Sequence, residues 1–279
     1  MSQITTQDGT RLYLKDWGAG RPVVLVHGWP LSADSFDDLS MGLVDAGFRA
    51  ISYDRRGFGR SDQPASGYDY DTLADDLNAV MTQTGVTDVA LLGFSMGGGE
   101  VARYLSRHGG KQVRQAVLIS SMLPYMQGVS NITDAADMTG FESLTHGIRA
   151  DRANYWDGFF KDFFGLDMLT HPVSREVVEW ARAMSMQAGL LPTLACARTF
   201  TMTDFRPDMA SFKVPTLIIH GTADKIVPIE TSSRKTARSI AHAQLIEYEA
   251  APHGIFASHK DRLLCDVLEF LRDPGTPSN

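Results

Sequence analysis

The chain has 279 residues, of which 26 are Lys or Arg and 33 are Asp or Glu, so its formal net charge is −7. Hydrophobic residues make up 43% and charged residues 21%, an ordinary globular composition that excludes an intrinsically disordered chain. The charge is mildly acidic and no basic run is longer than Arg55-Arg56, which excludes the electrostatic footprint of a nucleic-acid-binding protein.

In the first part of the chain, short apolar runs alternate with longer segments of helical periodicity. This alternation is typical of a parallel sheet covered by helices on both faces. The predicted elements are strands over Arg11–Trp17 and Pro22–Val26, a helix over Ser35–Ala46, a strand over Arg49–Tyr53, a helix over Asp71–Thr84, a strand over Asp88–Phe94, a helix over Ser95–His108 and a strand over Val113–Ser120.

The alternation breaks between residues 123 and 213, where only helical segments such as Asp151–Phe164 and Ser174–Ala188 are predicted. It resumes with a strand over Thr216–Gly221, a helix over Ile229–Ile240, a strand over Leu245–Tyr248 and a helix over His259–Leu271. A helical insertion between two sheet strands is typical of a lid over one end of the sheet. We therefore expect an α/β core, residues 1–122 and 214–279, and a helical lid or cap, residues 123–213.

The residues Gly93-Phe94-Ser95-Met96-Gly97 form a Gly-x-Ser-x-Gly motif. The motif alone is weak, but here it follows an apolar strand and opens a helix. In this context it predicts a sharp strand-to-helix turn that holds the serine hydroxyl at the end of the sheet. Gly93 and Gly97 are expected there because a Cβ atom at either position would crowd the turn.

A serine nucleophile needs a histidine base and a carboxylate that orients it. In this kind of fold, the acid and then the histidine follow the serine in the chain, each in a loop after a strand. Asp224 and His253 have this order and placement, although each could also be an ordinary turn residue. His27 ends an early strand, and His220 lies at the end of the strand that precedes Asp224. We expect Asp54 to brace a loop.

An oxyanion hole needs two preorganised N–H donors. We expect the backbone N–H of Met96, which follows the serine, to be one of them. The loop His27-Gly28-Trp29-Pro30 predicts the second, the N–H of Trp29, with Gly28 allowing the turn and Pro30 stiffening the loop. The same loop could also be a plain end to a strand.

Other chemistries find little support in the sequence. Cys196 and Cys265 cannot form a disulfide framework, and neither lies in a zinc-binding pattern. Gly18-Ala19-Gly20 precedes its apolar strand, which argues against a dinucleotide-binding turn. The N-terminus lacks the layout of a signal peptide and the apolar runs are too short to span a bilayer, so we expect a soluble, cytoplasmic protein.

Several longer strings make the chain resemble the α/β-hydrolase superfamily over nearly its whole length. More narrowly, it resembles the cofactor-free (non-haem) haloperoxidase and arylesterase (perhydrolase) family of bacteria. The resemblance rests on the residues His27–Ser32, Asp54–Gly59, Gly93–Tyr104, Thr203–Met209 and Ala251–Gly254. The Gly93–Tyr104 and Thr203–Met209 strings are the most specific.

The resemblance implies an α/β-hydrolase fold: a mostly parallel, eight-stranded twisted sheet with helices on both faces and a helical lid insertion. It implies a triad of Ser95, His253 and Asp224, with no metal or organic cofactor. The oxyanion donors it implies are Trp29 and Met96. The implied substrate pocket is lined by Trp29, Phe94, Met96, Ile226 and Val227, joined from the lid by Phe159 and Phe163.

We therefore expect a serine hydrolase that cleaves small aryl or alkyl esters through an acyl-enzyme. The resemblance implies that hydrogen peroxide can replace water as acyl acceptor, which gives perhydrolase and haloperoxidase activity. The expected partners are a small-molecule ester and water or peroxide, without nucleic acid or membrane; a homo-oligomer is left open.

Alternatives with the same triad are a lactonase or amidase (lactamase) and a C–C bond hydrolase. The C–C hydrolase would need basic lid residues, for which Arg149, Arg152 and Arg182 are candidates. Haloalkane dehalogenases and epoxide hydrolases use Asp where this chain has Ser95, which argues against both. A ligand-binding receptor on the same fold would retain the pocket without turnover, and Ser95→Ala separates that alternative from an enzyme.

Overall fold

A computed structural model describes residues 3–126 and 138–272 of the protein. Its eight strands form one sheet in the order β1-β2-β4-β3-β5-β6-β7-β8. The strands are β1 (Gln3–Thr5), β2 (Arg11–Gly18), β3 (Pro22–Val26), β4 (Arg49–Tyr53), β5 (Val89–Phe94), β6 (Val113–Ile119), β7 (Thr216–Gly221) and β8 (Ala243–Tyr248).

The sheet is mostly parallel. β2 pairs antiparallel with β1 and β4, and the five remaining pairs are parallel. Every residue of β5 and of β7 is buried. Since alternate strand residues point to opposite faces, both faces of the sheet must be covered. This confirms the predicted mostly parallel, eight-stranded sheet.

Helices beside this sheet pack against one another. α1 contacts α10, whereas α2 contacts α3. The α-helices are α1 (Asp37–Asp45), α2 (Tyr70–Gln83), α3 (Met96–His108), α4 (Met138–Ala150), α5 (Arg152–Phe164), α6 (Arg175–Gln187), α7 (Leu190–Met202), α8 (Ser233–Ser239), α9 (Ile255–Ser258) and α10 (Lys260–Arg272).

Several predicted boundaries are wrong. The helix predicted over Ser35–Ala46 is a 3-10 turn, Ala33–Phe36, followed by α1. The helix predicted over Ile229–Ile240 begins only at Ser233, because Ser232 has a non-helical backbone with φ −114° and ψ −96°. β8 starts two residues before the predicted Leu245, and α3 starts at Met96 because Ser95 is not helical.

The segment between β6 and β7 contains α4 to α7, together with a 3-10 turn over Arg206–Ser211. Residues 127–137 of the predicted lid lie outside the described residues, so the division at residues 123 and 213 stays a prediction. α5 packs against α4 and α6, and α4 also packs against α7. Within the described part of the chain, no helix is both long and apolar enough to cross a membrane.

Candidate active site

The turn between β5 and α3 holds Ser95 in an uncommon conformation. Its φ is 53° and its ψ −117°, a positive φ that costs a non-glycine residue about 1–3 kcal/mol. A Cβ atom on Gly97 would lie 2.2 Å from the Val26 carbonyl oxygen, and one on Gly93 would lie 2.7 Å from the Gly97 carbonyl oxygen. The prediction that both positions require glycine is therefore confirmed, and the turn leaves Ser95 directly before the N-terminus of α3.

The structure brings Ser95, His253 and Asp224 together. The Ser95 Oγ lies 3.0 Å from His253 Nε2, and His253 Nδ1 lies 2.6 Å from Asp224 Oδ2. The three residues follow β5, β8 and β7, whose carboxyl ends meet at one edge of the sheet. His253 is fully buried and Ser95 is 2% exposed, so this chain of hydrogen bonds is shielded from bulk water. The arrangement can move a proton from the serine hydroxyl to the imidazole.

The carboxylate of Asp224 accepts hydrogen bonds on both oxygens. The backbone N–H groups of Ile226 and Val227 donate to Oδ1 at 2.9 and 2.8 Å, and His220 Nε2 lies 3.0 Å from Oδ2 beside His253. Burial opposes ionisation, but the electrostatic interactions of the carboxylate with His253 and His220 outweigh it. They lower the pKa of Asp224 well below its ordinary value. The carboxylate is therefore ionised at neutral pH.

The two predicted oxyanion donors belong to segments next to Ser95: Met96 follows it in the chain, and the loop that carries Trp29 approaches it at Gly28. Among the residues that the structure describes, neither the backbone N–H of Trp29 nor that of Met96 has a protein acceptor. Gly28 is needed for space, because its Cβ atom would lie 2.6 Å from the Phe94 ring and 3.0 Å from Ser95 Cβ. Its φ is not in the left-handed region, so the structure requires glycine here for space and not for a special backbone conformation.

A buried histidine orients the peptide that carries the Trp29 N–H. The backbone N–H of Arg55 donates to His27 Nε2 at 2.9 Å, which leaves Nδ1–H to donate to the Gly28 carbonyl at 2.9 Å. The N–H of Leu31 donates to the same carbonyl at 3.0 Å. Because the C=O and N–H of a trans peptide point in opposite directions, these bonds turn the Trp29 N–H to the other side. Burial, reinforced by the Arg55 charge, lowers the pKa of His27 well below 6.5 and keeps it neutral.

A buried ion pair lies beneath this loop. The Arg55 guanidinium is bridged to Glu100 of α3 and donates to the His27 carbonyl at 2.5 Å. The Tyr53 hydroxyl also donates to Glu100, at 2.9 Å. Since both charges are fully buried, removing either partner would leave an uncompensated charge. The pair therefore ties the oxyanion loop to the helix that begins at Met96.

Aromatic rings link Trp29 to His253. Ring centroids are 5.6 Å apart for Trp29 and Phe159, 5.7 Å for Phe159 and Phe163, and 4.9 Å for Phe163 and His253. Phe94 also lies 5.1 Å from His253. Of the other predicted pocket residues, Ile226 and Val227 lie in the Asp224 loop, and Met96 is fully buried. The lining of a pocket by these seven residues stays a prediction.

The sequence reasoning missed the residues that attach Trp29 to the lid segment. The Trp29 indole N–H donates to the Thr193 carbonyl of α7 at 3.0 Å. Its ring centroid lies 5.3 Å from those of Trp156 in α5 and Phe200 in α7. These partners are more than 120 positions away in the chain and carry no local motif. His27 and His220 had a usable signal, since each ends a strand at the carboxyl edge of the sheet.

The two most specific strings of the sequence contact each other. Arg103, in the helix that follows the nucleophile turn, pairs with Asp208 at 3.0 Å and also with Asp71. Asp208 belongs to the Thr203–Met209 string, which leads into β7 and so towards Asp224. Among the described residues, no group of three or more His, Cys, Asp or Glu side chains is arranged to hold a metal ion.

Residues 21–260 match the model of the α/β-hydrolase fold family. The chain is 40% identical to a non-heme chloroperoxidase of Kitasatospora aureofaciens, covering 97% of this chain and 99% of that one. It is 36% identical to a bifunctional esterase/perhydrolase of Acinetobacter calcoaceticus, covering 98% of this chain and all of that one. The crystal structure of a bromoperoxidase from Bacillus anthracis is similar, with a TM-score of 0.92, 39% identity and coverage of 98% and 100%.

Proposed function

The chain belongs to the α/β-hydrolase family and, within it, to the non-heme haloperoxidases, and on this basis we propose that it is a serine hydrolase acting on small carboxylic esters. One observation carries the proposal. The hydrogen-bonded series Ser95–His253–Asp224 ends beside two backbone N–H groups that have no acceptor within the described residues. A nucleophile, a base and an unfilled pair of donors are the parts that acyl transfer needs.

In the first half of the reaction, the Ser95 Oγ attacks the ester carbonyl while His253 Nε2 takes its proton. Asp224 holds the Nδ1–H tautomer and stabilises the imidazolium. The negative charge on the carbonyl oxygen is bound by the N–H groups of Trp29 and Met96, each worth about 3–4 kcal/mol in such sites. When the intermediate collapses, His253 returns the proton to the leaving alcohol, and the acyl group stays on Ser95.

In the second half, water or hydrogen peroxide attacks the acyl-enzyme, and His253 again acts as base. Water releases a carboxylic acid, and peroxide releases a peracid; Ser95 recovers its proton in both cases. The peracid then transfers one oxygen to a halide, leaving a carboxylate and a hypohalous acid. The name of the esterase/perhydrolase relative, at 36% identity, supports both outcomes for this chain.

The substrate preference that we propose follows from the apolar surroundings of His253. Phe94 and Phe163 both contact its ring, and Phe159 continues this surface to Trp29. The lid segment supplies two of these rings, so we propose that it closes over a small aryl or alkyl ester. Such a ring-lined site suits an uncharged acyl group better than an acidic one.

Two of the three candidate arginines that an acidic C–C hydrolase substrate would need have other contacts. Arg152 donates to the Ala188 carbonyl at 2.9 Å. Arg182 donates to the Ala153 carbonyl at 3.2 Å and pairs with Asp157 at 3.5 Å. Both are thus engaged within the lid segment, which favours the ester over the C–C substrate. Lactones and activated amides use the same acyl chemistry and are further substrates to assay.

The test compares wild type with Ser95→Ala on nitrophenyl acetate, with and without hydrogen peroxide. We expect the substitution to abolish turnover, and bromination of monochlorodimedone in acetate with peroxide to be lost with it. The enzyme proposal fails if both proteins hydrolyse the ester equally slowly. Loss of bromination alone in wild type, with hydrolysis intact, would remove only the perhydrolase part.

Two further expectations concern the setting of the protein. A cytoplasmic location stays a prediction, tested by fractionating cells that express the chain. Homo-oligomerisation is equally untested, and sedimentation of the purified protein decides it.

A further inference from the structure

His220 is a second buried histidine on the carboxylate of Asp224. It is the penultimate residue of β7, four residues before Asp224, and is fully buried. Its Nε2 lies 3.0 Å from the same Asp224 Oδ2 that accepts from His253, and 2.8 Å from the Val227 carbonyl oxygen. The mechanism proposed above does not use this imidazole.

The tautomer of His220 follows from its neighbours. Its Nδ1 lies 2.7 Å from the hydroxyl of Ser233, which is itself 1% exposed. The Val227 carbonyl can only accept, so Nε2 must carry a hydrogen, and the Ser233 hydroxyl donates to Nδ1. The Nε2–H is therefore donated to the Val227 carbonyl, and the same nitrogen lies 3.0 Å from Asp224 Oδ2. Five side chains then form one row of polar contacts: Ser233, His220, Asp224, His253 and Ser95.

We propose that His220 is a positioning residue for the triad: its N–H holds Asp224 Oδ2 in place and shares that oxygen with His253. The inference rests on the proposed function, because it assumes that His253 is the base. Asp224 Oδ1 is already fixed by two backbone N–H groups, so His220 is the described side chain, besides the base His253 itself, that restrains the second oxygen. Sharing the oxygen also limits how strongly Asp224 attracts a proton on His253.

Removing the N–H of His220 should have two consequences. Asp224 Oδ2 would lose a restraint, which misaligns His253 and lowers kcat. The oxygen would also bond to His253 alone, which favours imidazolium and moves the acid limb of kcat/KM to higher pH. Among the described residues, the titratable groups that face His220 are Asp224, His253 and Glu247 of β8. The charge of Glu247 is balanced by the Arg234 guanidinium, 2.7 Å away.

The experiment measures pH profiles of kcat and KM for nitrophenyl acetate in four variants of the full chain. His220→Leu removes the N–H, and we expect kcat to fall about tenfold with KM within about twofold, as for other residues that orient a reacting side chain. The acid limb should move up by about half a pH unit. His220→Gln, whose amide N–H can reach Asp224, should restore kcat to within about threefold and the wild-type limb.

Ser233→Ala leaves the imidazole but frees its tautomer, and we expect a fall in kcat of about threefold with a smaller shift of the acid limb. His242→Gln changes an exposed histidine before β8 and serves as the matched control with wild-type behaviour. Thermal unfolding shows which variants are folded. If His220→Leu does not fold, the rates and pH profiles of Ser233→Ala and His220→Gln test the role of His220 instead.

The inference is overturned if His220→Leu and Ser233→Ala both show wild-type rates and pH profiles. If the Leu variant is unfolded, a wild-type rate and pH profile in Ser233→Ala overturns it. An equal loss of kcat in the Leu and Gln variants, with no movement of the acid limb, would also overturn it by indicating a purely structural role. Ser95→Ala is assayed alongside. If it retains wild-type turnover, the proposed function itself fails, an outcome distinct from the failure of the role of His220.

Discussion

The proton-transfer residues and the oxyanion loop lie on the same edge of the sheet, but they are held by different means. Ser95, Asp224 and His253 each follow a strand closely and touch one another directly. Trp29 depends on distant partners: its indole binds the carbonyl of Thr193 in α7, and its ring packs on α5. The first region is held mainly by loops that follow the sheet strands, with Phe163 of the lid segment packed on His253, whereas the second depends on direct hydrogen bonding and ring packing with the lid segment. Substitutions should therefore separate chemistry from lid docking.

Asp224→Asn should have the largest effect on the first region. The amide can present its NH2 group to His253 Nδ1, which would then lack the hydrogen that the triad requires. We expect kcat on nitrophenyl acetate to fall about 10⁴-fold, as when a triad acid is replaced by its amide.

Asp88→Asn, which changes an exposed acid paired with Arg114, is the matched control and should retain wild-type kcat. A loss of less than about tenfold in Asp224→Asn would mean that another group orients His253.

Gly28→Ala tests the boundary between the two regions. The added Cβ would lie 2.6 Å from the Phe94 ring and 3.0 Å from Ser95 Cβ, so the ring, Ser95 or the Trp29 N–H must shift. We expect kcat to fall about 10²-fold, the scale of losing one oxyanion donor. Labelling of Ser95 by a fluorophosphonate should still proceed.

Gly158→Ala is the matched control, because an added Cβ atom would meet open space there. Gly85 also has open space, but its φ of 65° would strain an alanine. Wild-type kcat in Gly28→Ala would show that the loop can move without cost to the donor.

The same division explains what the sequence could predict. Ser95, Asp224 and His253 were predictable because each lies just past an apolar strand, and strand ends of a parallel sheet meet at one edge. The contacts of Trp29 with Thr193 and Phe200 were not, because they join segments about 165 positions apart through shape alone. β1 was missed because its three residues, Gln3–Thr5, are too short to show a period.

His27→Asn tests the buried support of the oxyanion loop through the pH dependence of stability. The folded pKa of His27 lies well below 6.5, so above pH 6.5 both the folded and the unfolded chain are neutral at this residue. As pH falls below 6.5, only the unfolded chain takes up the proton, and the free energy of unfolding decreases. Between pH 7 and pH 5 this one group should remove about 2 kcal/mol of stability.

Asn cannot take up that proton, so the stability difference between wild type and His27→Asn should shrink by this amount on acidification. Urea unfolding at pH 7, 6 and 5 measures it. We also expect kcat to fall about tenfold at pH 7, since the Gly28 carbonyl loses a well-placed donor. A constant difference between the two proteins over this pH range would contradict the neutral, buried state of His27.

Trp29→Phe should have the smallest effect, and it isolates the lid contact from the oxyanion donor. The backbone N–H remains, while the hydrogen bond from the indole to the Thr193 carbonyl is lost. Because that carbonyl lies inside α7 and keeps its helical partner, the loss should cost about 1 kcal/mol of stability. We expect kcat to stay within about threefold and KM to rise by a similar factor, since lid docking changes and the reacting groups do not. Trp17→Phe on β2 is the matched control. A large loss of kcat with unchanged KM would mean that the indole itself positions the Trp29 N–H, and that the two regions are not separable.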